Sequence, residues 1–376
     1  KYLVPVVAKI MEDYYPEITA NTGYIQTILE KEETRFHETL DEGLTILYNV
    51  MNNSQDKVID GKTAFKLYDT FGFPIELTIE YAEEKDFTVD EEGFKALLEE
   101  QRRRAREARE EVQSMQSQNK TLMDITVPSE FIGYEVLETE AKLLAIVQGD
   151  KLLEEATEGM HVQLIFDKTP FYATSGGQVA DKGTISNDKA YIEVEDVSTA
   201  PNKQNLHHCL VKSGVIRVGD TFTLKVDKLA RILTERNHTA THLLHKALKT
   251  VLGNHVNQAG SEVSSDRLRF DFTHFAPVTK EELLEIERIV NEKIASGLKV
   301  TYKYMSLDDA KKQGAVALFT EKYGDVVRVV SCEDYSKELC GGCHVKNTAE
   351  IGLFKVVSEG GIGAGVRRIE AVTSLK

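Results

Sequence analysis

The stretch Asn237–Leu252, NHTATHLLHKALKTVL, decides how the carboxy-terminal third of the chain is read. It lies within residues 229–252, which read as one helix, and it carries His238 and His242 at i and i+4. Side chains four apart stand one turn above each other on the same face, so the two imidazoles can converge on one ion. About a hundred residues later comes Cys340-Gly341-Gly342-Cys343-His344. The two glycines allow a tight backbone turn, so the Cys340 thiolate and the His344 ring can aim at a single point. His238, His242, Cys340 and His344 together make a tetrahedral set of N and S donors suited to zinc.

Each half of that set has rivals when read alone. An isolated HxxxH is commonly a packing feature, and CGGCH also fits C-x-x-C-H, the attachment signature of c-type haem. Covalent haem demands an exported chain and an axial ligand, and nothing at the amino end reads as a signal peptide. A redox dithiol is the third reading, but it calls for a Cys opening a helix after a strand. The scarcity of other His and Cys favours zinc. His245 shares the face of His238 and His242 and reads as a hydrogen-bonded core histidine, with substitution as a ligand left open. Cys209 and Cys332 read as small buried hydrophobes.

Upstream of this helix the character changes. KLLAIVQ (142–148), HVQLIFD (161–167), AYIEVEDV (190–197) and TFTLKVD (221–227) are short runs separated by Gly, Asn, Asp and Pro. Their alternation predicts a small antiparallel β-barrel or sandwich. Within it, DKTPFYATSGGQVADKG (167–183) places Thr169, Gly176, Gly177 and Gln178 in a turn whose exposed N–H groups can hold a carboxylate, carbonyl or phosphate, although a plain β-turn fits as well. No GxGxxG or P-loop pattern accompanies it. HVNQAGS (255–261) reads as a loop presenting the Gln258 amide. RLRFDF (267–272), DVVRVVS (325–331) and GLFKVVSE (352–359) read as extended, and 279–295 as helical, which makes 229–376 an α+β domain.

The amino-terminal part reads as helices over 1–53, with Val4, Val7, Ile10 and Met11 at helical spacing. A Gly-Lys loop near 60 leads to LYDTFGFP (67–74), where Gly72 and Pro74 mark a turn. A long charged helix follows from about Asp90 to Met115, and QSQNKT (116–121) reads as a boundary. The expected organisation is therefore α+β and multidomain: a helical region over 1–120, a β-barrel over 121–228 and an α+β metal-binding core over 229–376. The chain begins at Lys1 without Met, so it reads as a piece of something longer.

Charge refines what the partners can be. The 376 residues hold 46 Lys plus Arg against 61 Asp plus Glu, for a net charge of −15, which argues against a general nucleic-acid binder. By region the counts are 15 against 25 for 1–120, 10 against 17 for 121–230 and 21 against 19 for 231–376. The acidity is thus amino-terminal, and inside it lies one basic run, Arg102 to Arg109. That run reads either as a solvated helix face laced with i,i+4 pairs or as a phosphate contact. Four Cys are too few for a disulfide scaffold and no apolar run reaches membrane-spanning length, so a reducing, cytoplasmic setting without a membrane partner is expected.

NHTATHLLHKAL (237–248), HVNQAGS (255–261), RLRFDFTH (267–274), ELCGGCHV (338–345), GVRRIEAVTS (365–374) and PFYATSGGQVADKG (170–183) resemble the editing domain of alanyl-tRNA synthetases. LVPVVAKIM (3–11), EETRFHETLDEGL (32–44), KLYDTFGFPIELT (66–78) and DEEGFKALLEEQRRRARE (90–107) resemble the tRNA-recognition region that precedes it. HxxxH with CxxxH also occurs in threonyl-tRNA synthetase editing domains, but the amino-terminal segments single out the alanyl family. The resemblance implies zinc held by His238, His242, Cys340 and His344. It implies Gln258 and Cys340 as catalytic residues, and substrate contacts from Thr169, Gly176, Gly177, Gln178 and Gln258.

It further implies tRNA contacts from Asp69, Arg102, Arg103 and Arg106, with Asp69 helping to read the G·U pair of the acceptor stem. The implied reaction is hydrolysis of tRNA(Ala) mischarged with serine or glycine. The runner-up is a tRNA-binding module with a purely structural zinc. ATP and alanine belong to the parent enzyme's aminoacylation core and are not expected to bind here. One departure is visible: the family's usual CGGTH is CGGCH, so Cys343 stands where Thr is expected.

Overall fold

A computed structural model of the chain describes residues 1–54, 56–114, 120–316, 325–363 and 365–374, with side chains for all of these except 105–114. Two units emerge, Lys1–Ser117 and Gln118–Lys376. Ten α-helices occur among the described residues, together with a closed six-stranded antiparallel barrel, so the chain is α+β.

In the first unit the helices are Val4–Met11, Pro16–Ala20, Thr22–Asn53, Gly61–Phe71, Ile75–Glu83 and Glu91–Ser114. Leu47, Met51, Ile59, Leu67, Phe73 and Phe94 form its core. The first helix buries Val4 and Ala8, whereas Val7 and Ile10 are exposed. Apolar residues surround this helix, so periodicity alone could not choose the face. The stretch expected to start as a Gly-Lys loop is instead the helix Gly61–Phe71. Asp60 opens it, its carboxylate accepting from Thr63 N at 2.9 Å. Gly72 closes it in the left-handed region at φ +64°, with Phe73 N donating to Leu67 O at 2.9 Å. That turn delivers Phe73 to the core, where its ring packs so closely on Gly43 that a Cβ there would overlap it.

In the second unit the barrel runs in the order Ala190–Thr199, Gly183–Ser186, Thr221–Val226, Glu138–Gln148, His161–Phe166 and Asn205–Arg217, closing back on Ala190–Thr199. Period-two patterning produces it: Ala190, Ile192 and Val194 point inward and Tyr191, Glu193 and Glu195 outward, until a bulge near Glu195 resets the register. Leu143, Leu164, Phe166, Ile185, Val211, Phe222 and Leu224 fill the interior.

The last barrel strand feeds directly into the helix Lys228–Leu252, capped by Asp227, which accepts from Leu229 N and Ala230 N. A four-stranded antiparallel sheet follows, in the order Gln258–Val263, Leu268–Thr273, Val366–Thr373, Phe354–Gly363. HVNQAGS, expected as a loop, thus supplies a strand from Gln258 onward. The helix Lys280–Ala295, started by a Thr279–Glu282 capping box, shares the core with Leu243, Leu244, Leu248, Phe270, Phe272 and Ile369. Val300–Ser306, Val326–Cys332 and Ser336–Leu339 form a third, three-stranded sheet.

Arg231 fastens the barrel to the helix. It is 1% exposed, its Nε donates to Asp181 Oδ1 at 2.9 Å, its Nη2 also meets Asp181 Oδ2, and Nη1 and Nη2 donate to the carbonyls of Gly133 and Pro170. No helix among the described residues is long and apolar enough to cross a membrane.

Candidate metal centre

His238, His242, Cys340 and His344 converge so that one ligand atom from each lies within 4.8 Å of the others. Cys340 Sγ is 3.4 Å from His238 Nε2 and 3.3 Å from His344 Nε2. Tetrahedral bonds of about 2.0–2.3 Å to N and S place donors roughly 3.4–3.6 Å apart. The donor chemistry and the two Cys340–His distances therefore suit a zinc ion.

Each donor is aimed by its surroundings. Helical spacing brings the His238 and His242 rings edge to face, 5.5 Å between centroids. Gln178 Oε1 lies 2.7 Å from His238 Nδ1 and accepts from Cys343 N at 2.8 Å. Thr239 Oγ1 lies 3.1 Å from His344 Nδ1. Gly342 presses against the His238 ring, so that a Cβ there would collide with it and come within 2.8 Å of Gln178 Oε1, whereas a Cβ on Gly341 would meet nothing.

The turn between Cys340 and His344 is gripped from behind by Arg328. Its Nη1 donates to the carbonyls of Cys340 (3.0 Å) and Gly342 (2.9 Å), and its guanidinium stacks between Tyr134 (4.1 Å) and Tyr302 (4.3 Å). Tyr134 adds a hydrogen bond to Gly341 O at 2.5 Å. Sequence reading missed Arg328 and Tyr134. The visible signal was a lone Arg inside the otherwise apolar run DVVRVVS.

Electrostatics set the protonation of the donors and their neighbours. Burial alone would raise the Cys340 thiol, but His238 and His344 outweigh it and hold it well below its ordinary value. Burial would lower His242; the Glu338 carboxylate and Cys340 overcome it and raise the ring to about 9. Glu338, only 3% exposed, lies 3.8 Å from His242 Nε2 and 3.0 Å from His245 Nδ1. His245 is therefore a hydrogen-bonded core residue and stands outside the donor group. Cys343 also stands outside it: it is 2% exposed, and burial pushes its thiol up to about 12.

His238, His242 and Cys340 line a cleft of about 530 Å³ whose walls include Gly176, Gly177, Thr241, Gln258 and Ser261. Val263 N donates to Gly177 O at 2.7 Å, so the glycine turn docks on the strand Gln258–Val263. Gly177, at φ +87°, sits where a Cβ would strike Ser261. Gln258 Nε2 donates to Ser261 Oγ at 2.9 Å.

Two expected substrate contacts do not reach this cleft. Thr169 is fully buried in the barrel, where its hydroxyl lies 2.8 Å from His207 Nε2 and accepts from Phe171 N. It falls in the short strand Lys168–Thr169, which ends before the chain turns toward the cleft. Gln178 is also fully buried and serves His238 instead of the open space.

In the first unit, Asp69 is exposed and its carboxylate meets Gln101 Nε2, at the start of the basic run. Arg102 is exposed and paired with Glu99 at 3.0 Å. Arg103 is exposed on the same helix, and the side chain of Arg106 lies outside the described residues.

Residues 1–230 match the family described as tRNA synthetases class II (A), and residues 327–370 match the threonyl and alanyl tRNA synthetase second additional domain. The chain is 58% identical over 374 residues to the alanine–tRNA ligase of Listeria welshimeri, covering 99% of this chain and 42% of that protein. It is 56% identical over 374 residues to that of Bacillus subtilis, covering 99% and 43%, and 56% identical over 375 residues to that of Lysinibacillus sphaericus, covering 99% and 41%. The chain thus spans about two fifths of the length of these curated relatives. With nearly all of its residues aligned at this level of identity, the chain belongs to the alanyl-tRNA synthetase family.

Proposed function

We propose that the second unit is an editing hydrolase that cleaves the ester joining serine or glycine to the 3′ end of tRNA(Ala). The observation that carries this reading is the convergence of four N and S donors, of which His238, His242 and Cys340 line an open cleft whose walls also hold Ser175, Thr241, Gln258 and Ser261. A zinc ion held by His238, His242, Cys340 and His344 supplies a Lewis acid that polarises a carbonyl or holds an amine or a water. The chain's own groups do the rest. Gln258 presents an amide that binds the substrate's polar atoms, and the backbone of Gly176 and Gly177 allows the ester to approach closely. Gln178 holds the His238 ring, and the Cys340 thiolate completes the donor set.

An alanine site excludes serine and glycine poorly, because small size differences and one added hydroxyl give limited discrimination in binding. A second, hydrolytic site makes up the difference. Acceptor-stem contact falls to Asp69, Arg102, Arg103 and Arg106 in the first unit, and the cytoplasm is the expected place of action. The acidity of the first unit predicts weak tRNA binding that falls steeply with salt. The second reading, a tRNA-binding module with a structural zinc, draws on the count of donors: four protein ligands fill a tetrahedron.

Deacylation of Ser-tRNA(Ala) and Ala-tRNA(Ala), with Cys340→Ala alongside, decides between them. The editing reading expects fast release of serine, slow release of alanine and loss of both in the variant. Equal rates on the two substrates, or an unaltered variant, overturn it.

A further inference from the structure

The hydroxyl of Thr239 is a junction of three hydrogen bonds. The residue follows His238 in the helix Lys228–Leu252 and is 1% exposed. Its Oγ1 lies 2.9 Å from Glu235 O, 3.1 Å from His344 Nδ1 and 3.2 Å from Val345 N. The first contact is the back-bond that a helical Thr makes to the carbonyl four residues earlier, and it fixes the direction of the hydroxyl. The other two reach residues 105 and 106 positions further along the chain.

A hydroxyl has one proton to give and two lone pairs to accept with. Glu235 O is a carbonyl and only accepts, so the proton goes there. Val345 N–H only donates, and it takes one lone pair. The second lone pair faces His344 Nδ1, and that contact is a hydrogen bond when Nδ1 carries the imidazole proton. Nε2 is then unprotonated and stands 3.3 Å from Cys340 Sγ, inside the donor group. Orientation follows from the same contacts. Turning the ring over would set ring carbons against both Thr239 Oγ1 and Cys340 Sγ. The ring is also packed 4.3 Å and 4.6 Å, between centroids, from those of His238 and His242.

From this accounting we infer that Thr239 is a positioning residue for the metal centre: it holds His344 as the Nδ1–H tautomer and so reserves Nε2 for the ion. It acts through His344 and not on the substrate. By gripping the ring of residue 344 and the N–H of residue 345 with one oxygen, it also ties the donors of the Cys340–His344 turn to the helix that carries the other two. Outer hydrogen bonds of this kind set the orientation and basicity of a metal-binding imidazole. The assignment rests on the zinc part of the proposed function for what Nε2 serves, but the tautomer itself is a property of the chain without metal.

The test compares the whole chain with two variants. Thr239→Val keeps the branched shape and removes the hydroxyl, leaving His344 Nδ1 and Val345 N unanswered. Thr239→Ser keeps the hydroxyl and loses a methyl. Long-range proton–nitrogen correlation spectra of chain carrying isotope-labelled histidine, metal-free and at alkaline pH where the ring is neutral, report which ring nitrogen holds the proton. A His344→Asn variant identifies the His344 signal by its absence. The wild type and Thr239→Ser are expected to show Nδ1–H, and Thr239→Val to shift toward Nε2–H. Competition with a chromophoric chelator is expected to show zinc affinity lowered about 10–100-fold in Thr239→Val and close to the parent in Thr239→Ser.

An Nε2–H ring at His344 in the wild type overturns the assignment. Undiminished zinc affinity in Thr239→Val overturns it too, as does a Thr239→Ser variant as impaired as Thr239→Val, which would reduce the residue to packing. If the wild type takes up no zinc yet shows the Nδ1–H ring that Thr239→Val loses, the metal reading fails and the hydrogen-bond assignment stands.

Discussion

Gln178 Oε1 lies 2.7 Å from His238 Nδ1, and the same oxygen receives the N–H of Cys343 at 2.8 Å. Because an amide oxygen only accepts, His238 must carry its proton on Nδ1. Its Nε2 lone pair is thereby left facing Cys340 Sγ at 3.4 Å. A buried glutamine on a turn between two barrel strands thus fixes the tautomer of a candidate metal donor on the helix Lys228–Leu252.

Replacing Gln178 by Met keeps the volume and removes the acceptor. Zinc affinity, measured by competition with a chromophoric chelator, is expected to fall about 10–100-fold. Far-ultraviolet circular dichroism should stay unchanged. Unaltered affinity would show that the cluster does not need this hydrogen bond.

The two glycines of the turn should behave differently although they are adjacent. Gly342→Ala drives a methyl into the His238 ring and is expected to lower zinc occupancy and deacylation together. Gly341→Ala meets open space and should leave both close to the parent. Metal analysis of the two purified variants makes the comparison, and similar losses in both would contradict it.

Arg231→Met leaves Asp181 buried without its cation and takes a donor from the carbonyls of Gly133 and Pro170. Breaking one side of a buried pair costs about 3–5 kcal/mol. Adding Asp181→Leu should recover only part of the loss, since the two carbonyls remain unanswered. Urea denaturation of the parent, single and double variants reads this out.

The barrel should weaken in acid through His207. Burial, aided by the neighbouring His208 and only partly offset by the Leu164 carbonyl, lowers the ring from its ordinary 6.5 to about 4. Between those values the unfolded chain binds a proton that the folded chain refuses, so stability is complete above pH 6.5 and drains away as pH falls toward 4. One such group accounts for about 3 kcal/mol over that window. His207→Gln should flatten the difference between urea midpoints at pH 7 and pH 5, and equal pH dependence in the variant would count against this origin.

The donor set was legible because few side chains can do its chemistry and helical spacing places two of them on one face. Barrel strands such as Ala190–Thr199 were legible because alternation needs no knowledge of the partner strand. Gln258–Val263 was not: its short, polar, glycine-bearing run becomes a strand only through pairing with Leu268–Thr273. The helix Gly61–Phe71 was hidden by a glycine at its first position, although Asp60 supplied the cap signal. Thr169 and Gln178 share one segment, and nothing in their spacing told that the first would be swallowed by the barrel and the second turned onto a histidine. Arg328 acts through stacking between Tyr134 and Tyr302, residues far away in the chain.

The separation of His238 from Cys340, 102 residues along the chain, carries a consequence for biosynthesis. At about 5–20 residues per second, roughly 5–20 s pass between the emergence of the first two donors and the last two. The barrel strands are complete by Val226 and Gln178 precedes the histidines in the chain, so the two helical donors are synthesised well before Cys340 and His344. On the zinc reading the full donor set exists only after His344 has been synthesised, and a chain stalled before residue 340 carries only its two helical histidines.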